Sequence, residues 1–192
     1  MQRKAQILDR LSFMRFLGLS IGDKVPDAKT IWLFREQLAQ AGLERTLFEQ
    51  FDAYLRSNGF AAKKGQIVDA SIVQIPKQRN TRDENQKIKE GRSEEIEGWS
   101  EPKKRQKDTD ARWTKKNGKT FYGYKNHVQV DVKEKFIRDY DVTNASVHDS
   151  NVFEKLLDET NSSRAVWADS AYRSAQKLAN LKAAHFREHI QR

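Results

Sequence analysis

Two apolar runs in this chain each carry one aspartate, and together they restrict its fold more than any other feature. The first is Gly65–Pro76, GQIVDASIVQIP, with Asp69 set among Val68, Ile72, Val73 and Ile75. That composition suits a strand covered on both faces, and Pro76, which has no N–H for a ladder bond, ends it. The second is Ala165–Tyr172, AVWADSAY, with Asp169. Burying an unpartnered polar group costs about 2–7 kcal/mol, and more when it is charged. Each aspartate therefore calls for a cationic partner or a metal ion. Two separate strands that each present one carboxylate are the main functional signal of the sequence.

The chain has 192 residues, enough for one domain of ordinary size or for a small domain beside a larger one. Only 37% of residues are hydrophobic and 33% are charged, so a substantial part must be solvated or disordered. The net charge of +9 points to a polyanionic partner, most simply nucleic acid; a merely soluble basic protein is the alternative. With no cysteine, disulfides and thiolate metal sites are excluded. No apolar run reaches the length of a membrane span. Asp9, Arg10 and Arg15 break up the apolar residues at the N-terminus, which argues against a signal peptide. The expectation is a cytoplasmic protein with no membrane partner.

Residues 1–61 read as a helical N-terminal domain. Leu8, Leu11, Phe13, Met14, Phe16 and Leu17 form an apolar cluster. Asp27 is placed to cap a helix carrying Ile31, Phe34 and Leu38, stopped at Gly42. Leu47, Phe51, Tyr54 and Leu55 mark a further helix that ends at Asn58-Gly59. These stripes are expected to form a core.

Residues 77–118, inside a larger unit at 62–192, change character. From Lys77 to Lys119 there are 14 Lys and Arg against nine Asp and Glu, which is over half of the chain's excess. The stretch reads as a charged insertion, disordered or loosely helical without a partner. Lys103, Lys104, Arg105, Lys107, Arg112, Lys115 and Lys116 are candidates to track a phosphate backbone, with Trp113 as a stacking platform; a solvated linker is the alternative. Lys119 to Val147 then reads as a β-hairpin turning at Glu134-Lys135 and lying antiparallel to the Asp69 strand. Asp149 or Ser150 can cap a following helix through Val152, Phe153, Leu156 and Leu157. His127 and His148 invite a site role, but a structural histidine is the commoner case. A helix from about Ser174 to Ala184 follows the Asp169 strand.

The element order is strand with Asp, hairpin, helix, strand with Asp, helix. With DRLSFMRFLGL, VPDAKTIWLFREQL, IVDASIV, DARWTKKNGKTFYGYKNHVQVD, the SVHDS turn and VWADSAYRS, the chain resembles the DDE transposases of bacterial insertion sequences, in the group usually called IS-five. The resemblance implies an α/β RNase H-like core with a mixed sheet behind a small helical domain. It implies DNA transposition by metal-dependent strand cleavage and transfer, with Mg²⁺ or Mn²⁺ held by two aspartates and a glutamate. Asp69 and Asp169 match the two aspartates. The family's glutamate lies on a later helix, well beyond the second aspartate. Glu188 comes too early for it, so the chain is expected to be truncated before that residue, inactive or partial. The implied partners are the terminal repeats of an insertion sequence and a second copy or a full-length transposase. The compartment is the bacterial cytoplasm. A non-catalytic DNA-binding or interaction protein derived from a transposase is the alternative. So is a short RNase H-like nuclease that draws a third carboxylate from Asp131, Asp149 or Glu188.

Overall fold

A computed structural model describes residues 2–91, 96 and 98–191, with side chains described except at positions 2–4 and 105. It divides into two compact units, Met1–Asn58 and Gly59–Arg192.

The first unit holds helices α1 (Gln2–Asp9), α2 (Leu11–Phe16), α3 (Ala28–Gln40) and α4 (Glu44–Ser57). Asp27 caps α3, its Oδ1 accepting from the Thr30 N–H at 2.7 Å. Gly42 takes the left-handed conformation that separates α3 from α4. The apolar stripes, expected as core, stay wet. Neither α3 nor α4 contains a buried residue, and Phe34, Phe51 and Tyr54 are 59%, 59% and 63% exposed. Met14 and Val25 are the buried hydrophobics among the described residues of this unit. Helical periodicity fixes which side of a helix is apolar, whereas burial needs a second layer that this short unit does not supply.

The second unit is built on a six-stranded mixed sheet: β1 (Gln66–Gln74), β2 (Arg112–Lys116), β3 (Lys119–Asp131), β4 (Ile137–Asn144), β5 (Ala165–Ala168) and β6 (Arg187–Ile190). The long strand β3 pairs antiparallel with β1 on one side and with β2 and β4 on the other. Beyond β1 lie β5 and β6, both parallel to it. This is the mixed α/β sheet expected of an RNase H-like core. The hairpin turns at Glu134-Lys135, between β3 and β4. Residues 149–157, expected as one helix, form two 3-10 turns, Asp149–Asn151 and Glu154–Leu156. The first is capped by His148, whose Nδ1 accepts from the Ser150 N–H.

The core lies on one face of the sheet, where Val68 and Val166 meet Val152, Phe153, Leu156, Tyr172, Leu181 and Phe186. Tyr172 lies in a third 3-10 turn, Ser170–Tyr172, and Leu181 in a helix, Ala175–Ala183, capped by Ser174. The opposite face is open. Gln66 and Val68 of β1 are buried, but Asp69, Ser71 and Val73 are exposed. The expectation of a strand covered on both faces is corrected here: Asp69 keeps its contact with water, and no large desolvation cost falls on it.

Residues 77–118 carry more regular structure than their composition implies. Helix α5 (Arg82–Glu90) has a capping box between Thr81 and Glu84, a left-handed Gly91 at its end, and Ile88 buried. Helix α6 (Glu101–Gln106) follows, and β2 extends the sheet. Positions 92–95 and 97 lie outside the described residues. Side-chain ties replace an apolar core here: Lys103 reaches Glu84 at 2.6 Å, and Arg112 donates to the Ile88 carbonyl at 2.8 Å. Composition counts the charges, but it does not reveal that they pair.

Candidate active site

Asp69 and Asp169 approach each other because β1 and β5 are parallel neighbours. Their ladder pairs Gln66 with Val166 and Ile67 with Trp167. Continuing that register by two residues sets Asp69 opposite Asp169, both on the face away from the core. Asp69 is exposed and Asp169 half-buried. The Asp69 carboxylate accepts from the Ala70 N–H at 2.7 Å, and Asp169 caps the 3-10 turn after β5 by accepting from the Ala171 N–H at 2.9 Å. These bonds take one oxygen of each aspartate.

On the core side of the sheet lies a second set of polar groups. Lys125 Nζ stands 2.7 Å from Asp149 Oδ1, with the two side chains 12% and 15% exposed, and it also donates to the Val147 carbonyl at 2.7 Å. Tyr172 is buried, its ring 5.2 Å from that of Phe153. Burial pushes its phenol well above the usual range, and the fields of Asp149, Asp69 and Asp169 push it further the same way. The phenol is therefore neutral. His127 is buried on the same side, with Nε2 2.9 Å from Thr143 Oγ1. Desolvation holds its pKa down, so it stays neutral. It is the structural histidine expected of a strand position.

The other acidic candidates are otherwise engaged. Asp131 is buried against Arg138, Asp149 is paired with Lys125, and Glu188 lies on β6, accepting from the Ile190 N–H. Among the described residues, no group of three or more His, Asp or Glu side chains is placed to hold a metal ion. A cavity of about 460 Å³ beside the Ala175–Ala183 helix, lined by Glu154, Asn180 and Phe186 among others, includes neither aspartate. The aspartates face an open surface instead, which suits a long polymer better than a small molecule.

The basic candidates divide by what they already hold. Lys107 donates to the Arg79 carbonyl and to Asn80 Oδ1, at 2.8 and 2.6 Å. Arg112 donates to the carbonyls of Thr109, Ala111 and Ile88. Both fasten this segment to itself. Lys103 is paired with Glu84 and sits over the Trp99 ring at 4.3 Å, and Lys104 pairs with Glu101 at 3.4 Å. The side chain of Arg105 lies outside the described residues. Lys115 and Lys116 are exposed on the edge strand β2, as is Trp113, which packs against Tyr122 at 5.0 Å. Trp113 pairs with Tyr122 in the ladder and Asp69 with Val128. By strand alternation Trp113 and Lys115 lie on the same face as Asp69.

Residues 61–191 match the family described as the transposase DDE domain. The chain belongs to the DDE transposase domain family. Residues 2–37 match a second family, a transposase domain (DUF772). Among curated proteins, the transposase for insertion sequence element IS1106 of Neisseria meningitidis serogroup B is 31% identical over 161 residues, covering 83% of this chain and 53% of that protein. The chain thus spans about half the length of the curated relative. No solved structure matches.

DDE transposase domains generally use divalent metal ions. The donor set at Asp69 and Asp169 fits such an ion: carboxylate oxygens, partly free, on an open face. Lys125 and Tyr172 could not be singled out from residue type alone. The available signal was parity, since strand alternation from His127 turns Lys125 toward the core, where an unpaired ammonium would be costly.

No helix among the described residues is long and apolar enough to cross a membrane.

Proposed function

We propose that this chain is a DNA transposase polypeptide of the IS-five group in which Asp69 and Asp169 hold the catalytic divalent cation, Mg²⁺ or Mn²⁺. The observation that carries this reading is the placement of Asp69 within β1 and of Asp169 directly after β5, on adjacent parallel strands of a DDE-domain sheet. When bound, such an ion polarises the phosphodiester and stabilises the attacking and leaving oxygens. The chain's own residues contribute two oxygen donors on a face open enough for duplex DNA. In this reading the partners are the terminal repeats of an insertion sequence and a second copy or full-length transposase, within a bacterial cytoplasm. We further propose that the chain is a partial fragment with two of the three carboxylates. That part is supported by Asp131 and Asp149, each already paired with a cation.

Calorimetric titration of Mn²⁺ into the chain and into Asp69→Asn and Asp169→Asn tests the site. Each substitution is expected to abolish binding, and unchanged binding in both would end the proposal. Incubation with terminal-repeat DNA and Mn²⁺ is expected to give little nicking. Efficient nicking, lost in Asp69→Ala, would keep the site and overturn the partial-fragment reading.

A non-catalytic DNA-binding protein is the second reading, favoured by the exposed Trp113, Lys115 and Lys116 on β2. It gains if Asp69→Asn leaves DNA affinity and its salt dependence intact while Lys115→Ala and Lys116→Ala reduce both.

A further inference from the structure

The ladder between β1 and β5 contains two register pairs and stops before it reaches the aspartates. Hydrogen bonding between these strands therefore does not by itself set the distance from Asp69 to Asp169. A second connection runs below the sheet. Lys125 belongs to β3, opposite Ile72 of β1, so it is fixed to the strand that carries Asp69. Its ammonium grips both the Val147 carbonyl and the Asp149 carboxylate, the entry to the first 3-10 turn. That turn lies against the Ser170–Tyr172 turn, which Asp169 itself caps and which Tyr172 anchors in the core through Phe153. The path is continuous from the Asp69 ladder to Asp169.

We propose that Lys125 and Asp149 form a positioning clamp that fixes Asp169 relative to Asp69, acting through the turn anchored by Tyr172. Neither clamp residue touches the cation. The pair is nearly closed to solvent, so its charges face a low-dielectric surrounding and hold firmly. The inference rests on the reading of Asp69 and Asp169 as a cation-holding pair, and its test separates the two.

The chain has no cysteine, so Asp69→Cys/Asp169→Cys introduces the only two thiols. Oxidation to a disulfide requires the two sites to be close and correctly oriented, and it reads their spacing without metal. In the otherwise unchanged chain the bond is expected to form rapidly. Added Asp149→Asn is expected to slow it about tenfold. Because a lone Lys125 left half-buried can unfold the domain, the combined Lys125→Met/Asp149→Leu replacement, which strands no charge, serves as the second background and is expected to slow the bond to the same extent. Lys125→Arg, which keeps the cation, is expected to restore the rate. In the chain that keeps both aspartates, the combined Lys125→Met/Asp149→Leu replacement is expected to weaken Mn²⁺ binding about tenfold, with far-ultraviolet circular dichroism unchanged. Disulfide formation at the parent rate in both clamp-deficient backgrounds would overturn the clamp while leaving the site reading intact. Failure of the thiols to join in the parent background would overturn both.

Discussion

Asp131 and Arg138 face each other across the β3–β4 turn, with Arg138 Nε 3.0 Å from Asp131 Oδ1 and both side chains shut off from solvent. The carboxylate also accepts from the Glu134 and Phe136 N–H groups, at 2.6 and 3.3 Å, and the guanidinium donates to the Phe60 carbonyl. One ion pair thus closes the hairpin and ties it to the segment entering β1.

Removing one member strands the other. Asp131→Ala and Arg138→Met are each expected to lower unfolding free energy by about 3–5 kcal/mol. Urea denaturation monitored by circular dichroism checks this; a loss below about 1 kcal/mol would show that water reaches the site.

Gly65 is the second sensitive point. Its φ is +98°, and an added Cβ would lie 2.5 Å from the Trp167 ring and 2.6 Å from the Ala165 carbonyl oxygen. Gly65→Ala is therefore expected to cost about 1–3 kcal/mol in backbone strain alone, and to push β5 away from β1 and so disturb the aspartate pair. The checks are the unfolding midpoint and disulfide formation in Asp69→Cys/Asp169→Cys. A midpoint equal to that of the parent would contradict the tight packing at this turn.

Glu84 sets an acid limit on the charged segment. Its bond to Lys103, then the Thr81 N–H, hold its carboxyl down at about 2, against an ordinary 4.5. A depressed carboxylate contributes stability that is complete above the ordinary value and is lost as the pH falls through the folded one. The tie between α5 and α6 is thus expected to persist at neutral pH and to fail between pH 4.5 and about 2. Titration of the Glu84 carboxyl carbon by NMR reads this directly, and a midpoint near 4.5 would refute it.

The basic residues are expected to separate in DNA binding. Lys115→Ala and Lys116→Ala should each lower the slope of log affinity against log salt by about 0.9, with little change in stability. Arg112→Ala, which gives up three bonds to carbonyls, should lower stability and leave the slope unchanged. The opposite assignment in fluorescence anisotropy titrations would show that Arg112 leaves its internal partners to meet phosphate.

Much of the chain was legible from local chemistry. Asp27 as a helix cap, the hairpin turning at Glu134-Lys135, and the strands carrying Asp69 and Asp169 follow from residue type and period, because caps, turns and strand alternation involve neighbours in the chain. Residues 77–118 were less legible. A string such as KKRQK announces charge, but whether Lys103 meets Glu84 or a phosphate depends on residues about twenty positions away.

The sequence by itself determined most of the strand and helix positions, the excess of positive charge, and the presence of one aspartate in each of two apolar runs. The tertiary structure alone decided that one face of β1 is open, that the first unit's aromatic stripes stay exposed, and that Lys125 on the core side of β3 has Asp149 as its partner. The reason is physical: period and propensity act over a few residues, while burial and ion pairing depend on which distant segment fills the adjoining space.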